Sequence, residues 1–227
     1  MTTTGTGLPA PVPRLLLAGP GGVVRAAGAV SVLIALVARG PVDAVLLVLV
    51  LGGLVVPVVV RAPAVLDAAY GASLLVAAWC AVLELYQAVT WLDVVAHVGV
   101  TGLVAAVAHL ALARTTGAVP DPTAAPHPTA APHPTAVPDP TAVPDPTAVP
   151  DPTAVHGRAA RAGAVVVTVA LGLALSALWE VGEYVGHTYV DDAIFVTYAD
   201  TVGDLVAGGV GSVAAGLWLV SPGRRGT

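Results

Sequence analysis

The stretch VDAVLLVLVLGGLVVPVVV (Val42–Val60) decides how the rest of the chain is read. Its one charge, Asp43, stands at the second position, and none of the seventeen side chains after it can hydrogen-bond. As a helix at 1.5 Å per residue it reaches about 28 Å, close to the roughly 30 Å of hydrocarbon in a bilayer. A helix on the surface of a soluble domain needs a polar face, and none is available here. The stretch therefore reads as a membrane span, with Pro57 kinking its end.

Working outward, further apolar runs pass the same test. They predict helices at Val23–Ala38, Ala64–Tyr86, Val89–Ala113, Ala162–Val185 and Ala199–Val220. With the opening stretch they make an all-α, polytopic bundle of about six transmembrane helices. Composition agrees: 56% of the 227 residues are hydrophobic and only 10% are charged. A soluble domain carries about a quarter charged residues. Residues 1–21 read as a disordered N-terminal segment without a cleaved signal peptide. Helices one to four fill 22–113, a linker fills 114–161, helices five and six fill 162–220, and 221–227 is a tail.

The linker holds an internal repeat. From Val119 to Ala154 the unit [V/A]-P-[D/H]-P-T-A occurs six times and takes twelve of the 20 prolines. Two prolines in six residues disfavour helix and sheet and favour polyproline II. The preferred reading is an expanded repeat tolerated as a solvated loop; a spacer, or a ligand for an unknown proline-binding partner, is the sharper alternative. His127 and His133 occupy the slot that Asp holds in the other units and are not read as metal ligands.

The arginines orient the bundle. With the N-terminus inside, Arg14, Arg25, Arg61, Arg114, Arg158, Arg161, Arg224 and Arg225 lie on the cytoplasmic side and only Arg39 lies outside. This is a positive-inside pattern with both termini in the cytoplasm. Arg25, in the first turn of helix one, is expected to snorkel to the surface, and Asp43 and Asp67 to cap helix starts. The bilayer is the expected partner. No basic patch argues for nucleic acid, and a homo-oligomer is left open. Cys80 is the only cysteine, so neither an intrachain disulfide nor a cysteine metal cluster can form.

That orientation gathers the acids at one depth. Asp93 and His97 open helix four at the outer face, Glu180 and Glu183 end helix five there, and Asp200 and Asp204 start helix six. Glu84, at the end of helix three, is a secondary member. Asp93/His97 and Asp200/Asp204 are i,i+4 pairs and Glu180/Glu183 is i,i+3, so each pair shares a helix face. The faces continue as rows of small or polar residues. On helix four the row is Asp93, His97, Thr101, Ala105, His109; on helix five Thr168, Gly172, Ser176, Glu180, Tyr184; on helix six Asp200, Asp204, Gly208, Ser212, Gly216; on helix three Tyr70, Ser73, Ala77, Cys80, Glu84. Small residues at every fourth position let helices approach closely in lipid, so the acids should face the bundle interior.

Crowded carboxylates with no arginine beside them need a proton, His97 or a bound cation. Oxygen-rich ligands with one imidazole suit a divalent metal such as Mn, Mg, Ca, Fe or Zn. The bland alternative is helix-end capping in wet headgroup space, which the helix dipole favours for Asp93 and Asp200 and opposes for Glu180 and Glu183. His109 reads as a boundary residue rather than a ligand. Three functions follow: a cation or proton site for transport or sensing; a structural or assembly subunit; or a metal-dependent enzyme acting on a lipid or cell-wall precursor. No Gly-x-Ser-x-Gly, phosphate loop, dinucleotide fingerprint or His-Glu-x-x-His is present, so a soluble-type enzyme is unsupported.

Three segments, WLDVVAHVG (91–99), ALWEVGEY (177–184) and YADTVGDLVAGGVGS (198–212), resemble the YjdF-type family of small bacterial inner-membrane proteins, a domain of unknown function. The family shows an Asp followed by His and Gly, a Trp-Glu-x-x-Glu helix, and Asp-Thr-x-x-Asp-Leu opening the last helix. The resemblance covers helices three to six and not the repeat. Val94 stands where a basic residue is expected, and Gly208/Gly209 where a polar one is often found. It implies a multi-pass location in a bacterial plasma membrane and the same site residues, and no reaction. VanZ-like membrane proteins are similar more weakly.

Overall fold

The computed structural model describes residues 16–123 and 152–221, without the side chains of 152–156. Most of the repeat, both chain ends and Arg14, Arg224 and Arg225 lie outside the described residues, so the readings made for them stand as expectations. The described chain is helical and has no strand: α1 (Gly19–Ala38), α2 (Pro41–Gly53), α3 (Val56–Val59), α4 (Ala64–Val82), α5 (Leu85–Ala88), α6 (Thr90–Thr116), α7 (Pro152–Tyr189) and α8 (Tyr198–Leu219). Six segments are long and apolar enough to cross a bilayer: α1, α2 with α3, α4, α6, α7 from Gly157, and α8. Each leaves large apolar side chains uncovered, among them Val37, Val45, Val76, Val95, Val166 and Val206. Exposed apolar surface all around a bundle is costly in water and fits a lipid bilayer.

Pro57 does more than kink its helix. It has no N–H to donate to the Gly53 carbonyl and its ring crowds that carbonyl, so α2 ends at Gly53 and a single turn, α3, resumes at Val56. In lipid a freed carbonyl needs another donor. The Tyr70 hydroxyl donates to Gly53 O at 3.4 Å and Arg25 Nη1 to Leu54 O at 3.3 Å.

Arg25 therefore does not snorkel. It is 7% exposed and paired with Asp67, Nη1 to Oδ1 at 2.8 Å and Nη2 to Oδ2 at 3.2 Å, while Nε donates to Leu16 O at 2.6 Å. Asp67, expected as a cap, instead ties the start of α4 to the start of α1. Asp43 takes Arg39 Nε at 3.3 Å, and Arg39 Nη2 also donates to Val82 O.

The bundle has two kinds of interior. Between α1, α2 and α4 the packing is aliphatic, around Leu47, Leu54, Ala35, Ala44 and Val82. Along α4, α6 and α8 a second apolar cluster holds Leu66, Tyr70, Val107, Leu110 and Leu219. The faces of α6, α7 and α8 that meet each other carry glycine and small polar residues instead. A Cβ on Gly102 would stand 2.7 Å from Gly211 O, and one on Gly211 would strike the Val98 carbonyl. Glycine at both positions is what lets α6 and α8 touch backbone to backbone.

Several boundaries move from their expected places: α1 starts at Gly19 rather than Val23, α6 runs on to Thr116 rather than Ala113, and α7 runs on to Tyr189 rather than Val185. Helix three stops at Val82 rather than Tyr86, and α7 begins at Pro152 rather than Ala162, inside the last repeat unit. Proline is tolerated there because a first-turn N–H has no helical partner. The described residues of the first repeat unit, 119–123, make hydrogen bonds of their own. Asp121 accepts from Thr123 N at 2.8 Å and from Arg114 Nε at 2.7 Å, which folds the loop back over the end of α6.

Candidate functional site

Helix periodicity builds the site from three elements. α6 and α8 run in the same direction and α7 runs opposite, so the starts of α6 and α8 meet the end of α7. Asp93 and His97 share one face of α6, and Asp204 projects from α8 one turn below Asp200. The three donors converge: His97 Nε2 lies 3.6 Å from Asp93 Oδ1 and 3.8 Å from Asp204 Oδ2. One ligand atom from each residue lies within 4.8 Å of the other two. Two ligands held about 2.1 Å from one ion at tetrahedral or octahedral angles stand about 3.0–3.4 Å apart. A contraction of under an ångström at the two His97 pairs would bring them to that spacing.

The burial is what makes the group chemical rather than decorative. Asp204 is 4% exposed and Glu180 is 7% exposed, both among apolar helices. An oxygen of Asp93 and one of Asp204 lie within 4.8 Å of each other, and Glu180, Glu183 and Asp200 lie close enough to act on that pair or on each other by charge. Among the described residues no arginine pairs with these acids; Arg39, the one arginine at this end, is spent on Asp43 and Val82 O. The Glu180 atom Oε1 is buried and has no hydrogen-bond partner, and Ser176 Oγ, one turn further in, is in the same state. A buried acceptor without a partner costs about 1–3 kcal/mol, more if charged, unless a proton or cation satisfies it.

The structure brings together most of the residues expected from sequence. Asp93, His97 and Asp204 form the core. Glu180 and Glu183 stand beside them. Asp200 is half-buried and its backbone N–H is capped by Thr197 Oγ1 at 3.2 Å. Glu84 is not brought in. α4 ends two residues before it, and Glu84 sits exposed in a left-handed turn at φ 56° that redirects the chain into α5. The reason is local: the helix stops short, so the side chain leaves the row it was assigned to. Close by, the Tyr86 hydroxyl, which donates to Ala77 O at 3.0 Å, has its ionisation pushed up chiefly by burial.

His109 is the residue that sequence reasoning undervalued. It is fully buried rather than at a boundary, with Nδ1 3.0 Å from Thr168 Oγ1 and Nε2 3.3 Å from Pro120 O. Its place in the α6 row, three turns from His97, was the available signal. In the loop between α7 and α8, His187 Nδ1 donates to Ile194 O at 2.6 Å and Asp191 accepts from Ala193 N, so these shape the loop. Beside Glu180 a cleft of about 520 Å³ opens at the same end, lined by Tyr184, His187, Thr197, Tyr198 and Thr201 among others.

A scan of protein-family models finds no match to the chain, and searches of curated proteins and of solved structures find no significant similarity.

Proposed function

We propose that this integral membrane protein holds a cation, or a proton shared among its acids, at the end of the bundle where Asp93, His97 and Asp204 meet, and uses it in transport or sensing. The observation that carries this reading is the convergence of His97 Nε2 with two carboxylates beside the unpartnered, buried Glu180 Oε1. One imidazole nitrogen with carboxylate oxygens favours a divalent ion such as Mn, Fe or Zn. Intramembrane acids that face a bundle interior commonly mark ion or proton pathways. A role in packing alone, as a structural or assembly subunit, leaves Glu180 Oε1 unexplained.

The rest of the proposal follows from sequence. The acidic end faces outward and both termini face the cytoplasm, because the arginines crowd the opposite side. The motif resemblance supports membership in the YjdF-type family and a bacterial plasma membrane. One observation favours a second reading, a metal-dependent enzyme acting on a lipid or cell-wall precursor. The cleft beside Glu180 would admit a substrate to that carboxylate, at the edge of the Asp93–His97–Asp204 group.

The test is Mn²⁺ binding to detergent-purified protein, followed by electron paramagnetic resonance. Wild type should take up one ion per chain, Asp204→Asn should weaken it at least a hundredfold, and Glu84→Gln should leave it unchanged. Wild type that binds neither Mn²⁺ nor Zn²⁺ would remove the metal reading and leave only the proton.

A further inference from the structure

The rows on α6, α7 and α8 stand in register across the whole bundle. His97, Glu180 and Asp204 form one level. Thr101, Ser176 and Gly208 form the next: a Cβ on Gly208 would lie 3.0 Å from Ser176 Oγ and 3.2 Å from Thr101 Oγ1. Ala105, Gly172 and Ser212 form the third, where a Cβ on Gly172 would lie 2.9 Å from the Ala105 Cβ and would overlap Ser212 Oγ. His109, Thr168 and Gly216 form the last, with Thr168 bonded to His109 and its Cβ 3.4 Å from a Cβ on Gly216. Every level thus presents at least one hydroxyl, imidazole or carboxyl to the shared axis. Thr168, Ser212 and His109 are 0% exposed, and Ser176 is 4% exposed.

We propose that this seam is a proton path joining the acidic cluster to His109 at the opposite end of the bundle; it deepens the reading above by naming the transported ion and its exit. From His97 to His109 is twelve residues of α6, about 18 Å, most of the apolar thickness. Successive levels are about 6 Å apart; where the helices part enough to admit a water, two hydrogen bonds of about 2.8 Å through it span that gap. Ser176 Oγ lies in the seam without a partner, and Glu180 Oε1, one turn above it, is buried and without one. These are the positions at which a relay needs a free acceptor.

The bonding of His109 suits it to the exit. Thr168 has one hydroxyl proton and two acceptors within reach, Ala164 O at 2.8 Å and His109 Nδ1 at 3.0 Å. With neutral His109 protonated on Nε2, that proton donates to Pro120 O and Thr168 donates to Nδ1. When a proton arrives on Nδ1, the ring donates to Thr168 Oγ1, Thr168 turns to Ala164 O, and Nε2 keeps its bond to Pro120 O. The ring therefore gains a proton without losing a hydrogen bond. Release from Nε2 beside the exposed Pro120 delivers it to solvent. Each hydroxyl on the way accepts one proton and gives up its own, so one proton leaves the acidic end for each one that emerges; the ring is left protonated on Nδ1 and turns over to present that N–H to Pro120 O before the next transfer.

The experiment uses the full chain in liposomes loaded with a pH-sensitive dye, with a potassium diffusion potential driving protons. Wild type should carry protons at least tenfold faster than protein-free liposomes. Thr168→Val and Ser176→Ala, which keep the shape and remove one hydroxyl each, should each lose at least tenfold. Thr115→Ala, an exposed hydroxyl of α6 outside the seam, should behave as wild type. Wild type no faster than empty liposomes, or hydroxyl variants as fast as wild type, would overturn the path. Mn²⁺ binding on the same preparations separates the two readings: binding without flux removes the path and leaves the cation site standing.

Discussion

Removing the Asp67 carboxylate tests whether the Arg25–Asp67 pair clasps the first half of the bundle. Arg25 is 7% exposed, and its partners are both Asp67 oxygens, Leu16 O and Leu54 O. Stripping one partner from a buried pair costs about 3–5 kcal/mol, because the other charge stays buried. Two terms reduce that here. The Leu16 and Leu54 carbonyls remain to accept from the guanidinium. In separated helices Arg25 lies near a helix end and can reach the headgroups. Asp67→Leu should therefore cost about 2–4 kcal/mol, a factor of roughly 30 to 1,000 in the folding equilibrium. Replacing both partners, Arg25→Met with Asp67→Leu, removes the buried charge together with its mate and should cost about 1 kcal/mol or less. The assay is reversible denaturation of purified protein in mixed micelles, with helicity by circular dichroism, for both single variants and the double. A cost for Asp67→Leu below about 0.5 kcal/mol, or a double variant no better than the worse single one, would refute the clasp.

Two further outcomes follow from the same geometry. Gly102→Ala puts a Cβ 2.7 Å from Gly211 O, so α6 and α8 must part by about 0.7 Å to reach ordinary contact at 3.4 Å. Thermal unfolding should show a loss of about 1–3 kcal/mol with Mn²⁺ affinity down at least tenfold. Gly99→Ala, whose Cβ meets nothing, should leave both intact; equal behaviour of the two variants would sink the close-approach argument. At the other end, burial alone would raise the Asp121 carboxyl, but hydrogen bonds from Thr123 and Arg114 outweigh it and hold the group below its ordinary 3.8. The fold of that loop is thus fully supported above about pH 4 and loses Asp121's contribution as pH falls through the lower folded value. A carbon-13 NMR titration of Asp121 should show that low midpoint, and Arg114→Gln should raise it; a wild-type midpoint at or above 3.8 would contradict the loop geometry.

Spacing within a helix was legible because it is a property of one segment. The i,i+4 rows that begin at Asp93, Thr168 and Asp200 needed only the helical period to be read, and all three turn inward apart from the exposed Tyr184. Glu84 failed because it depended on where a helix stops. That boundary was set by a turn at Leu83–Glu84 and not by any proline or glycine. Arg25, Asp67 and Tyr70 were misread or passed over for a different reason. Their partners lie 17 to 42 residues away, or on the carbonyls that Pro57 set free, and no local pattern announces such a pairing.

By itself, then, the sequence determined that the chain spans a membrane and which faces of helices four, five and six are polar. Unbroken apolar runs of about 20 residues admit no other solvent, and the helical period assigns faces without reference to neighbours. The tertiary structure alone decided how those faces are aligned along the bundle axis. It set His97 level with Asp204, and His109 against Thr168. That register rests on the contact of Gly102 with Gly211, where the backbones of two helices touch, and a sliding of one turn would have kept every row intact while separating His97 from Asp204 by about 5.4 Å more along the axis.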